Sequence, residues 1–74
     1  EDGLFEALRA WRAGIARARG VPAYVVFPDA TLAEIAAARP RDEDSLLAVK
    51  GVGPRKLSVY GADLLAIVRA GGAT

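Results

Sequence analysis

The 74-residue sequence contains no cysteine, no histidine and no methionine. Without thiols it has no disulfide, no sulfur nucleophile and no soft metal site. Without imidazole it lacks the one side chain that titrates near neutrality unaided. A hard-cation site needs spaced, converging carboxylates. The acidic run Asp42-Glu43-Asp44 consists of sequence neighbours and suits the start of a helix better. Composition therefore argues against an autonomous enzyme and against a resident metal or cofactor. No apolar run approaches the ~20 residues of a membrane span, and the N-terminus lacks a signal peptide's layout. The opening Glu-Asp-Gly, without an initiator Met, reads as a domain excised from a larger cytosolic protein.

A single small domain is what this length permits. Chains of this size sit near the limit at which one hydrophobic core suffices. Hydrophobic residues make up 53% of the chain, but sixteen of them are alanine. With disulfides and metals excluded, economical packing of Ala-rich helices is the route to a fold. The net charge of +1 implies no partner by itself, and the local distribution matters more. Acids gather at Glu1, Asp2, Glu6 and Asp42–Asp44, bases at Arg9–Arg19 and Lys50–Lys56.

Helical spacing of Leu4, Leu8, Trp11 and Ile15 predicts a first helix over 4–19, ended by Gly20. Trp11 lies at the centre of its apolar face, Arg12 and Arg19 flank that face, and Arg9 and Arg17 lie nearer the back. Val21–Pro28 is β-branched and aromatic, but no second strand pattern exists to pair with it. It reads as an extended connection, with room for one turn of helix, whose Val and Phe side chains plug a bundle. Asp29 is the expected N-cap of a helix over 30–38 that buries Leu32 and Ile35, with Thr31 and Glu34 as a competing capping box. Arg39-Pro40 ends that helix. A third helix opens at Asp42–Asp44 and directs Leu46, Leu47 and Val49 inward. A short helix over 54–59 follows, and Gly61 is expected to bend the chain into a last helix carrying Leu64, Leu65, Ile67 and Val68, closed by Gly71-Gly72.

The segment Leu46–Leu57 carries the strongest local signal. Gly51 and Gly53 bracket a tight turn, Pro54 fits a first helical position, and Arg55 and Lys56 follow. Open amides, the positive dipole end and mobile cations can together receive a phosphate. The competing reading is a helix–helix connection whose glycines serve geometry alone.

The order of these pieces closely resembles the HRDC domain, named for its place at the C-terminus of RecQ-type helicases and of ribonuclease D. The likeness rests on Val21-Pro22-Ala23-Tyr24-Val25-Val26-Phe27, Asp29-Ala30-Thr31-Leu32, Lys50-Gly51-Val52-Gly53-Pro54-Arg55-Lys56-Leu57 and Tyr60-Gly61, and it covers about residues 4–70. It looks most like the domain of a bacterial RecQ helicase. The resemblance implies an all-α, compact five- to six-helix bundle with a helix-hairpin-helix-like turn. It implies a non-catalytic accessory role: weak, electrostatic binding of single-stranded or partly duplex DNA that tunes substrate engagement in repair and recombination. ATP, Mg and 3′–5′ helicase activity would belong to the parent's core, in the bacterial cytoplasm at the nucleoid, and the isolated domain would be a monomer.

On this resemblance Gly51, Val52 and Gly53 supply backbone geometry while Lys50, Arg55 and Lys56 supply charge. Tyr24 stacks on an unpaired base, and Arg39 or Arg41 extends the track. Tyr24 half-buried against the bundle is the structural alternative. Should Asp42–Asp44 share the face of the cationic turn, they would repel phosphate. Two other functions keep the fold: a module that docks on the parent's helicase core, a neighbouring domain or another protein, and an RNA-binding domain of ribonuclease D.

Overall fold

In the computed structural model, which describes residues 3–71, every regular element is helical. α1 spans Leu4–Arg19, α2 Ala23–Val26, α3 Asp29–Ala38, α4 Glu43–Leu47 and α5 Pro54–Ala70. α1 packs against α2, α3 and α5, and α4 packs against α5. The chain is thus an all-α five-helix bundle. Leu4, Leu8, Phe27, Leu32, Ile35, Leu46 and Leu64 form its fully buried centre. No helix among the described residues is long and apolar enough to cross a membrane.

α1 ends at Gly20, whose φ of 69° lets its N–H return to the carbonyls of Ala16 and Arg17. The buried stripe of this helix is Leu4, Leu8, Arg12 and Ala16, one position on from the expected centre at Trp11. Arg12 is only 7% exposed. Its Nη1 donates to the Phe27 carbonyl at 2.8 Å and its Nη2 meets Asp29 Oδ1 at 2.7 Å. That contact corrects the role of Asp29. α3 begins at Asp29 itself behind Pro28, and no side chain caps it. The carboxylate that could cap α3 instead faces the buried Arg12 guanidinium, whose charge needs a counter-charge more than the helix needs a cap worth about 1 kcal/mol. The alternative Thr31–Glu34 box is also absent, because Thr31 is buried beneath the turn that follows α4.

The 21–28 connection does contain one helical turn, α2, with Val26 and Phe27 buried. Trp11, Phe27 and Tyr60 then meet as a trio with ring centroids 5.4–6.1 Å apart, Trp11 edge-on to Tyr60. Arg39 ends α3 as expected, in left-handed geometry with φ 48°. α4 is capped by Asp42, whose carboxylate accepts from the Ser45 N–H at 2.8 Å while the Asp42 N–H donates back to Ser45 Oγ at 3.2 Å. Leu46 and Val49 are buried as expected, but Leu47 is exposed. In a five-residue helix only one face reaches the core, and the residue after Leu46 lies about 100° away from it.

The last two predicted helices are one. α5 runs without a break through Gly61, which is buried with Leu57 packed over it. A helical glycine costs only about 1 kcal/mol against alanine, and the apolar stripe of Tyr60, Leu64 and Val68 outweighs it. Gly71 closes α5 in left-handed geometry; Gly72 lies outside the described residues.

Candidate nucleic-acid interface

The two glycines of the α4–α5 turn do different work. Gly51 has φ 97°, and a Cβ there would collide with Thr31 Oγ1 and stand 3.1 Å from its Cγ2. It is needed both for the left-handed backbone and for close approach to α3. Val52 is buried, and its N–H returns to the Val49 carbonyl at 3.1 Å. Gly53 is the N-cap of α5 in ordinary extended geometry, with φ −91° and open space where its Cβ would stand. Pro54 occupies the first turn and no side chain caps the helix. The first amides of α5 are therefore left to solvent or to a ligand.

The cations around this turn divide into two kinds. Lys50 and Arg55 are exposed and make no hydrogen bond or ion pair among the described residues. Lys56 turns inward. Its Nζ donates to the carbonyls of Val25, at 2.8 Å, and Val26, and lies 5.0 Å from the Phe27 ring centroid and 5.8 Å from that of Tyr60. The ammonium closes the end of α2. This was readable: Lys56 shares the four-residue register of Tyr60, Leu64 and Val68, the buried face of α5.

Sequence reasoning missed what lies beside the turn. A groove of about 420 Å³ runs between α1, α2 and the start of α5. Ile15, Ala18, Val25, Val59 and Tyr60 give it an apolar lining, and Arg19, Arg55 and Lys56 also border it. Arg19 Nη1 donates to the Tyr60 hydroxyl at 2.7 Å, which fixes the guanidinium there. Tyr24, on the same single turn as Val25, is 71% exposed, and Val59 is 62% exposed. Of the four large apolar or aromatic side chains exposed among the described residues, Val25 and Val59 line this groove, Tyr24 adjoins Val25 in sequence, and Leu47 is on α4. The half-buried alternative for Tyr24 does not hold. The signal for Arg19 was its position flanking the apolar face of α1.

Arg39 and Arg41 do not join this cluster. With Arg69 they border a second cavity, of about 370 Å³, lined by Pro40, Leu65 and Val68. That cavity lies at the C-terminal end of α5, whose 17 residues span about 25 Å. Asp42, Glu43 and Asp44 follow Arg41 directly and are exposed. The backbone N–H and the hydroxyl of Ser45 hold the Asp42 carboxyl below its ordinary range, so it remains ionised.

Residues 1–68 match the HRDC domain family. The chain belongs to that family. It is 46% identical over 69 residues to the ATP-dependent DNA helicase RecQ of Bacillus subtilis, and equally to the ATP-dependent DNA helicase UvrD2 of Mycobacterium tuberculosis. Each alignment takes in 93% of this chain but only 12% and 10% of those helicases, so the HRDC domain spans about a tenth of the relatives it matches. Among solved structures it superposes on HRDC domain 3 of Deinococcus radiodurans RecQ with a TM-score of 0.87 at 37% identity, covering 92% of this chain and 90% of that one. The HRDC1 domain of the same helicase gives 0.62 at 49% identity, covering 96% of each. The five-helix architecture and the expected family are both established by these likenesses.

Proposed function

We propose that this HRDC domain is a non-catalytic accessory element of an ATP-dependent DNA helicase of RecQ or UvrD2 type, and that it engages single-stranded DNA at the start of α5. One observation carries the reading: Val25 and Val59 stand exposed beside unpaired Arg55 and the uncapped first turn of α5, and Tyr24 is exposed on the same helical turn as Val25. Cations and open amides receive phosphates, and an exposed aromatic offers a stacking platform that tolerates any base. Lys50, Arg55 and Arg19 supply the charge, Gly51 and Val52 hold the turn, and Gly53 leaves its mouth open. Lys56 acts through the shape it gives α2. The helicases named above are DNA enzymes by name, which supports DNA over the RNA of a ribonuclease D parent.

With about three phosphates neutralised at roughly −0.7 each, log K against log salt for a single strand slopes near −2. Arg55→Ala lowers that slope by about 0.7. Fluorescence anisotropy with a labelled oligonucleotide at several salt concentrations measures both. A flat salt response in the unaltered domain sinks the assignment and leaves protein docking as the reading of this face.

A further inference from the structure

The groove beside the turn has features that phosphate binding does not use. Its lining is apolar, from Ile15, Ala18, Val25, Val59 and the Tyr60 ring, and Val59 remains largely exposed at a cost in hydration. The floor is rigid. Tyr60 is 7% exposed, held edge-on by Trp11 at 5.4 Å, with Lys56 at 5.8 Å from its ring. Arg19, anchored on the Tyr60 hydroxyl, and unpaired Arg55 supply positive charge to the same groove. No carboxylate and no side-chain amide lines it.

We propose that this groove receives one unstacked nucleobase, with Arg19 and Arg55 meeting the phosphates that flank it. This rests on the single-strand reading above and adds to it the part of the strand that is recognised. An apolar slot bordered by Arg19 and Arg55, with Lys56 turned onto the end of α2, complements a base carried between two phosphates, since burial favours the base and charge favours its neighbours. Bases inside a duplex are stacked and paired, so only an unpaired one can enter without the energy of unstacking. The groove's charged side chains are donors only, so no side-chain amide or carboxylate reads an exocyclic amine, and recognition tolerates sequence. A pre-formed floor limits the ordering cost of binding.

The test compares two probes of equal charge by anisotropy at low salt: a short oligothymidylate and the same strand with abasic sugars throughout. Tyr24→Ala provides the background, so that stacking on Tyr24 does not contribute. In that background the intact strand binds at least about fivefold tighter than the abasic one. Adding Ala18→Leu, which fills the groove from an exposed position on α1, brings the two strands to equal affinity. Val59→Ser, at a largely exposed site on α5, is the second route to the same result, and circular dichroism checks the fold of each variant. Equal affinity for the two strands before the groove is altered overturns the base slot and leaves the phosphate contacts standing. So does a preference that survives both Ala18→Leu and Val59→Ser. Failure of the unaltered domain to bind either strand overturns the single-strand reading itself.

Discussion

At the start of α5, Arg19 and Arg55 border a groove with exposed Val25 and Val59, Tyr24 is exposed next to Val25 in sequence and Lys50 stands in the preceding turn, whereas at its end Arg39, Arg41 and Arg69 border a cavity lined by Pro40, Leu65 and Val68. Both ends are cationic, and each has a concave surface of similar size. They differ in what accompanies the charge. The first has exposed apolar and aromatic side chains and an uncapped helix N-terminus. The second has the carbonyl end of the helix dipole, a buried proline, and Asp42–Asp44 next in sequence. A count of cations treats the two alike. On the proposed function only the first holds a strand, because counter-charge and the absence of a stacking surface disfavour the second.

The comparison depends first on the turn that shapes the N-terminal end, and here the largest effect is expected. Gly51→Ala puts a methyl group into Thr31 and demands a left-handed alanine, and it should cost about 3 kcal/mol. A domain of this length has only about 4–11 kcal/mol to lose. Gly53→Ala, two residues on, should stay within about 0.5 kcal/mol, since its backbone is ordinary and its Cβ meets nothing. Urea unfolding of both variants measures the gap. Equal losses would mean that the turn is held by something other than its fit against α3.

A smaller loss tests the inward cation. Lys56→Met keeps the side-chain length but removes both bonds to the end of α2, and should cost about 2 kcal/mol through the carbonyls of Val25 and Val26. Amide shifts at Tyr24 and Val25 report any change in the groove wall. If stability is unchanged and only DNA affinity falls, Lys56 faces a phosphate after all. Next in size is the direct contrast between the ends of α5. At about 0.1 M salt one lost phosphate contact amounts to roughly fivefold in affinity, and this is the expected effect of Arg55→Ala. Arg69→Ala should change affinity by less than about twofold, as a distant charge screened by salt. Equal effects at both ends would extend the strand along the whole of α5.

Much of this was readable from residue spacing. The first helix and its glycine stop, the helical turn between two prolines, the Asp42 start of α4 and the Gly51–Pro54 turn all follow local rules, and local rules are what a sequence displays. The misreadings share a cause: each residue had a strong local role that a distant partner overrode. Asp29 is an ideal cap until Arg12, from another helix, takes its carboxylate. Thr31 is a candidate cap until Gly51 packs over it. Gly61 invites a bend until the buried face of α5 carries the helix through. Among the site residues, Lys50, Arg55 and Tyr24 keep their expected exposure, whereas Lys56 follows the apolar register of its helix. The groove itself could not be read in advance, because Ala18, Val25 and Val59 come from three helices and none carries a signal alone.

The smallest expected effect concerns the acid that opposes the C-terminal arginines. Asp42 accepts from the backbone N–H and the hydroxyl of Ser45, and these bonds favour its charged form and lower its pKa below the ordinary 3.8. A carboxyl lowered by folding stabilises the folded state above its unfolded pKa, and that contribution disappears as pH falls through the folded value. Acidification through the range below 3.8 should therefore loosen the α4 cap. Ser45→Ala should return the Asp42 midpoint toward its ordinary value, measured by carboxyl NMR titration. The same measurement bears on function. Ionised Asp42 sits next to Arg41 in sequence, so on the proposed function the C-terminal end should bind DNA more weakly near neutral pH than its three arginines suggest. Asp42→Asn tests the contrast directly: on the proposed function it leaves single-strand affinity unaltered at neutral pH, and a rise would place the strand at the C-terminal end as well.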